Sequence, residues 1–144
     1  SAGPGQWRGG LGVETEMEFL NDGNLVSAFG DGIDPGSEAR GILGGAAGIA
    51  NRGELHYPDG AVHVCKSKEV VSGIPRGTRW YQIAGGGGGY GDPHRRPADL
   101  VAREVRYGYV SSESAKDDYG VVVNPKTLEL DAPATEVLRK GARA

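Results

Sequence analysis

Several residue types that usually define a protein class are scarce in this 144-residue sequence. A single cysteine, Cys65, excludes an internal disulfide and is typical of a reducing compartment. No apolar run approaches the roughly 20 residues of a membrane-spanning helix, and no secretory signal is visible. Acidic and basic residues are interspersed, with a formal net charge of −3, so no basic surface for nucleic acid stands out. We therefore expect a cytoplasmic protein with neither membrane nor nucleic-acid partners.

Side chains suited to a hydrophobic core are also in short supply, whereas glycine is abundant. Hydrophobic residues make up 38% of the chain, and 26 of its residues are glycine. A chain of this length can form one domain, which we assign to residues 1–144, but glycines take positions that would otherwise hold core side chains. This composition favours a partner that completes the packing.

The most distinctive stretch is a run of five glycines followed by a tyrosine. Ordering glycine costs more backbone entropy than ordering any other residue, so such a run is either a flexible linker or a place of close backbone approach. A strand-like segment precedes it, and Tyr90 and Asp92-Pro93 follow it, which favours order. We predict a structural glycine segment that comprises Gly85, Gly86, Gly87, Gly88, Gly89, Tyr90, Gly91 and Asp92. Valine at Gly87 is expected to prevent the close approach.

Two further glycine clusters, at residues 9–12 and 41–48, point the same way. They lack the three-residue sequence period of collagen, so we expect extended or polyproline-II-like segments packed side by side. A phosphate-binding loop is the competing interpretation of the long run. A Walker A loop needs Gly-Lys followed by Ser or Thr, whereas here Gly91 precedes Asp92-Pro93, so we place no nucleotide on this chain.

Alternation and turn residues predict a mainly β fold in residues 1–93. A β-hairpin is expected over residues 13–29, a second one over residues 54–65, and a strand at residues 79–83, with a loop at residues 66–76. Short elements are expected in residues 94–144: helices at 98–107, 111–118 and 135–140, and a strand at 121–123. The predicted fold is thus β-hairpins with glycine-rich extended segments, followed by short C-terminal helices.

The second predicted hairpin carries the candidate chemistry. Residues 63 and 65 of a strand share a face, so His63 and Cys65 could bind one metal ion together with His56, and imidazole with thiolate suits zinc. The alternative is a cysteine packed as a small hydrophobe beside two polar histidines. Cys65 with His63 as a catalytic pair lacks any nucleophile signature around it. Near His94, Arg95-Arg96 could bind an anion or form a solvated loop.

Motifs spread over nearly the whole chain resemble the C-terminal portion of the hydantoinase B/oxoprolinase family. They are GQWRGGLGV at 5–13, Gly44-Gly45, GGGGYGDP at 86–93, DLVAREVRYGYVS at 99–111, Ala115, YGVV at 119–122, Asp131, Ala134-Thr135 and Leu138-Arg139. Members are usually several times longer, and this chain begins where their glycine-rich portion begins. It is therefore similar to a family member split into subunits, with this as the small one, and no catalytic residue of the family maps onto it.

Among relatives, the chain is similar to ATP-dependent ketone carboxylases of the acetone and acetophenone type. This resemblance implies a small, structural subunit that completes a larger partner in a hetero-oligomeric complex, with ATP and Mg on the partner subunits. The implied reaction is carboxylation of a ketone with bicarbonate, acetophenone to benzoylacetate. Alternatives are a component of an ATP-dependent hydantoinase or 5-oxoprolinase, and a stand-alone zinc-binding interaction module. Residues 34–38 and 55–68 depart from the family pattern.

Overall fold

The computed structural model describes residues 2–141, so Ser1 and the last three residues of the C-terminal part lie outside it. Six β-strands precede three α-helices, as the sequence predicts for the fold class. The strands are β1 Val13–Glu18, β2 Asn24–Phe29, β3 Arg52–His56, β4 Val62–Val64, β5 Lys68–Ile74 and β6 Arg79–Ala84. A 3₁₀ turn, Pro93–Arg95, leads to the helices α1 Ala98–Arg106, α2 Ser112–Asp117 and α3 Ala132–Gly141. Among these residues no helix is long and apolar enough to cross a membrane.

The strands form two antiparallel sheets, and their pairing corrects the first predicted hairpin. One sheet has the order β1-β6-β3-β4, and the other consists of β2 and β5. The hairpin predicted over residues 13–29 is wrong, because β1 pairs with β6 while β2 crosses to pair with β5. Phe19 is bonded through its backbone to Gly77 and Thr78, which directs β1 to the start of β6. Alternation determined the two faces of β1 but not its neighbour.

The second predicted hairpin and the strand before the glycine run are confirmed. β3 and β4 pair with Leu55 opposite His63, and the turn closes with the Tyr57 amide donating to the Ala61 carbonyl at 2.8 Å. The loop predicted at residues 66–76 is wrong, because Lys68–Ile74 forms β5. The alternating pattern of β5 is not visible in the sequence because Val70 and Val71 are adjacent and both apolar. Val71 faces the core, whereas Val70 is exposed.

A small core lies between the two sheets. Its buried members are Leu55, Cys65, Ile74 and Trp80, and residues of the two-stranded sheet, among them Val26, Ala28 and Val71, pack against them. The outer face of the two-stranded sheet and all of β1 remain exposed. The sandwich is therefore closed on one side only.

Three glycine-rich segments, residues 3–12, 39–50 and 85–91, lie side by side and bond to one another through their backbones; we call them the glycine layer. The Gly3 amide donates to the Gly87 carbonyl, Gly87 to Gly10, and Gly89 to Ala46, at 2.8–2.9 Å. A Cβ atom at Gly88 or Gly89 would lie less than 3.0 Å from the backbone of a neighbouring segment. The close approach expected from the sequence is present.

Three pairs of tight positions in the glycine layer are spaced three residues apart, whereas others, such as Gly89 against Pro4, do not follow this spacing. Gly85 and Gly88 face the middle segment, Gly45 and Gly48 face the long run, and Gly9 and Gly12 face the run and the end of β6. Gly87, singled out from the sequence, is not a tight position: the nearest atom to a Cβ there is the Gly10 amide nitrogen at 3.5 Å.

The C-terminal helices enclose a second core, separate from that of the sandwich. The buried side chains are Val101, Ala102, Val105, Val110, Ala115, Tyr119, Val121 and Val123. Ser111 caps α2 as expected, accepting a bond from the Ser114 amide at 3.0 Å. The predicted strand at 121–123 is reduced to a bridge between Val123 and Leu130. The last helix begins three residues earlier than predicted, because Asp131 accepts from the Ala134 amide.

Candidate functional site

Five backbone amides in and just after the glycine run donate to acceptors inside the protein. Those of Gly85, Gly87, Gly89, Tyr90 and Gly91 each donate to an oxygen of another segment at 2.7–3.0 Å. A phosphate cradle needs amides that point at the ligand, so these five do not fit that role. These five amides instead hold the glycine segments together.

The structure brings His63 and Cys65 together and adds a residue that the sequence did not indicate. The ligand atoms of His63, Cys65 and Glu69 all lie within 4.8 Å of one another, and His63 Nε2 is 3.1 Å from Glu69 Oε2. His63 and Cys65 share one face of the β4 segment, as period-two geometry requires. Glu69 belongs to β5, so the group joins one sheet to the other.

Glu69 is held in place by the turn between β4 and β5. Its Oε2 accepts the Lys66 amide at 3.0 Å, and this bond, followed by that to His63, lowers the pKa of the Glu69 carboxyl. No sequence signal pointed to Glu69, because residues 66–76 lack a clear strand pattern. Its place next to His63 follows from the pairing of β5 with β2, which is a long-range property.

Cys65 is not suited to act as a nucleophile. Its side chain is 2% exposed, and burial, with the nearby Glu69 charge, raises the pKa of the thiol. A reactive cysteine needs an accessible thiolate, which these surroundings disfavour.

His56 lies on the other face of the hairpin and is not part of the His63 group. Its Nε2 is 2.7 Å from Glu54 Oε2, and its ring meets Tyr81 edge-on at 6.1 Å between centroids. The bond from His56, together with Arg52, lowers the pKa of Glu54 against the opposing effect of burial. The three-residue set predicted from the sequence thus separates into His63 with Cys65 on one face and His56 on the other.

Arg96, considered from the sequence as an anion site or part of a solvated loop, is buried in an ion pair. Its guanidinium binds the Glu104 carboxylate through two nitrogens, at 2.8 and 3.2 Å, and also donates to the Gln6 carbonyl at 2.9 Å. Arg8 also donates to Glu104 Oε1, from Nε and Nη2, both at 3.3 Å. This ionic cluster of Arg8, Arg96 and Glu104 connects the glycine layer to α1, and its role is structural.

A family model described as Hydantoinase B/oxoprolinase matches residues 1–93 of this chain. The chain belongs to that family. The match covers both the sandwich and the whole glycine layer, so the features that distinguish this fold are those of the family.

Individual relatives match the C-terminal helices as well as residues 1–93. The chain is 36% identical, over 96% of its length, to the beta chain of caprolactamase from Pseudomonas jessenii, and 32% identical over 95% to the B component of a putative D-/L-hydantoinase from a Pseudomonas species. The crystal structure of the ATP-dependent caprolactamase superposes with a TM-score of 0.73 at 33% identity, over 95% of this chain and 24% of that one. A chain of nucleotide-free acetone carboxylase gives a TM-score of 0.80 over 99% of this chain and 23% of its own, at 23% identity, a likeness of fold.

The share of each relative that is covered is small. The chain spans 24% of the caprolactamase beta chain and 23% of the hydantoinase component. It therefore corresponds to about a quarter of the family members that it matches.

Proposed function

We propose that this chain is the glycine-packed structural component of an ATP-dependent enzyme of the hydantoinase B/oxoprolinase family. The observation that carries the proposal is the coverage: almost all of this chain matches about a quarter of each relative. The remaining three quarters of such an enzyme, on the same chain or on a larger subunit, would supply the reacting centre. ATP and Mg belong to that remainder in this proposal, because the glycine run uses its amides internally.

The surface of the chain supports a covering partner. Large apolar side chains are exposed on the outer face of the two-stranded sheet, where Leu25, Phe29 and Val70 are 59–80% exposed, and on the edge strand β1. Large exposed apolar side chains grouped on one sheet face are typical of an interaction site. We assign it to the remainder of the family enzyme, which is the polypeptide that the relatives possess outside the matched quarter.

Leu43 is the sharpest single anchor for that contact. It is 73% exposed and has φ of 51°, in the left-handed region that a leucine rarely adopts. The left-handed conformation of Leu43 costs about 1–2 kcal/mol and leaves the side chain in solvent. A partner pocket that binds this side chain would explain why a leucine occupies the position.

The reaction we favour for the assembled enzyme is the ATP-dependent opening of a cyclic amide. Two relatives above 30% identity are named for a lactam and for hydantoin, which both contain a cyclic amide. Ketone carboxylation, which the sequence resemblance suggested with acetophenone as substrate, is the second candidate. The acetone carboxylase chain superposes over 99% of this one, but at an identity where fold alone is shared.

An assay on the protein purified without a tag from its own cells decides between the two reactions. ATP turnover should rise with caprolactam or hydantoin and be indifferent to bicarbonate. Turnover that requires both acetophenone and bicarbonate would instead establish the carboxylase.

Native mass spectrometry of the same preparation tests the structural role. We expect this chain to be bound to, or continuous with, a much larger polypeptide. If the chain is a separate subunit, Leu43→Asp should weaken its association by about 30-fold or more, the effect of losing an interface anchor worth roughly 2 kcal/mol or above. Aspartate tolerates the left-handed region, so the turn itself should persist.

The matched control is Val137→Asp. Val137 is also 73% exposed, but it lies on α3, outside residues 1–93, which the family model matches. If the wild-type chain emerges alone and compact, or if both variants reduce binding equally, the proposed docking surface is wrong.

A further inference from the structure

We propose that His63, Cys65 and Glu69 form a binding site for a zinc ion that connects the two sheets of the sandwich. The proposal is independent of the reaction catalysed by the assembled enzyme. It rests on the placement of the three side chains, since β4 belongs to the four-stranded sheet and β5 to the two-stranded sheet. Within residues 2–141 this is the one group of at least three potential ligands that comes close enough together.

The distances suit a tetrahedral ion after small side-chain rotations. Zinc–ligand bonds of about 2.0–2.3 Å at tetrahedral angles separate ligand atoms by roughly 3.4 Å. His63 Nε2 and Glu69 Oε2 are 3.1 Å apart, and all three ligand atoms lie within 4.8 Å of one another. The backbone of the site is fixed on both sides, by the β3–β4 pairing and by the bond from the Lys66 amide to Glu69.

The donor set selects the class of metal. An imidazole nitrogen, a thiolate sulfur and a carboxylate oxygen suit a borderline ion such as zinc, whereas magnesium and calcium prefer oxygen donors alone. Binding replaces the thiol proton by the metal–sulfur bond, and the proton is released to solvent. Three protein ligands leave a fourth position, which a water molecule or a partner side chain would take.

Burial distinguishes the roles of the three ligands. Cys65 is 2% exposed and lies in the sandwich core, whereas the side chains of His63 and Glu69 are 38% and 22% exposed. An ion can therefore reach the site from the His63 side without opening the core. Once bound, it would close the edge of the sandwich where β4 and β5 meet.

The test is metal analysis of the protein as isolated, followed by exchange with Co²⁺. We expect the wild type to hold one zinc more per chain than the variants His63→Gln and Cys65→Ser. The cobalt form of the wild type should show a thiolate-to-cobalt charge-transfer band. Each variant should either lose this band or bind the metal more weakly than the wild type by more than roughly 10- to 100-fold, which is the loss caused by removing a residue that only orients a ligand. The matched control, His56→Gln, changes a histidine on the opposite face of the same hairpin and should keep both zinc and band.

Folding failure of a variant does not obscure the answer. Cys65→Ser alters a buried position, so Glu69→Gln, at a partly exposed position of similar size, provides a second loss-of-ligand variant. A wild-type protein that holds no zinc and develops no charge-transfer band when titrated with Co²⁺ would overturn the proposal without any variant. Equal metal content in the wild type, His63→Gln and Glu69→Gln would overturn it as well.

Discussion

Alanine at Gly88 and alanine at its neighbour Gly87 should have very different effects on the glycine layer. A Cβ at Gly88 would lie less than 3.0 Å from the Arg40 carbonyl and the Gly41 amide nitrogen, both of which are backbone atoms. Backbone cannot rotate away as a flexible side chain can, so the two segments must separate. At Gly87 the nearest atom would be 3.5 Å from an added Cβ, which is ordinary contact.

The size of the effect follows from the bonds near Gly88. The Gly89 amide donates to Ala46 at 2.8 Å, and its carbonyl accepts from Ile42 at 3.0 Å, so separation strains both bonds. Each bond is worth about 0.5–1.5 kcal/mol net when intact, so weakening both without losing either costs about 1 kcal/mol, and forced overpacking adds about 1–3 kcal/mol. We expect Gly88→Ala to cost about 2–4 kcal/mol. Gly87→Ala should cost little or even stabilise by about 0.4–1 kcal/mol, because alanine restricts the unfolded chain.

Hydrogen exchange followed by mass spectrometry measures this locally, whether or not the chain is in a complex. Peptides from residues 39–50 and 85–91 of Gly88→Ala should exchange roughly 30- to 1000-fold faster than those of the wild type. The same peptides of Gly87→Ala should be unchanged or slower. Equal exchange in the two variants would refute the argument that close backbone contact, rather than glycine content, holds this layer together.

Two further predictions concern carboxylates. Glu104→Gln should cost about 3–5 kcal/mol in denaturant unfolding, because it leaves the buried guanidinium of Arg96 and the partly buried one of Arg8 without their anion. Glu136→Gln, at an exposed position of α3, should change stability by less than about 1 kcal/mol, and similar costs for the two variants would contradict the burial argument. Because the pKa of Glu54 is lowered in the folded protein, its stabilisation is present above the ordinary value of 4.5 and is lost as pH falls through the lower folded value. In Glu54→Gln the free energy of unfolding should therefore fall less between about pH 5 and 3 than in the wild type. An unchanged pH dependence would show that the bonds of Glu54 to His56 and Arg52 do not contribute to stability.

Local patterns predicted element types better than element partners. The alternation of β1 correctly separates Val13, Thr15 and Met17 from the intervening glutamates, which face Arg79 and Tyr81 on the charged side. Nothing in that alternation states that the partner is β6, far along the chain. Pairing depends on packing across the sandwich, which is a property of the whole chain.

The candidate site shows the same division. His63 and Cys65 could be placed on one face from their spacing alone, and they do lie together. The sequence did not reveal that Glu69 lies beside His63 or that Glu104 pairs with Arg96, because each contact depends on how separate elements pack in the folded chain. The charge of Arg96 also suggested an anion site or a solvated loop, but Arg96 is buried next to a carboxylate on α1.

The two bridges of Tyr90 constrain the length of the glycine run. Tyr90 bridges to Trp7 and to Ile42, so its direction depends on how many residues precede it after β6. One inserted glycine would add no side chain, yet it would displace Tyr90 from both partners by up to about 3.3–3.6 Å, the span of one extended residue. The run is therefore a counted spacer, in which insertions and deletions are harmful even when every residue involved is glycine.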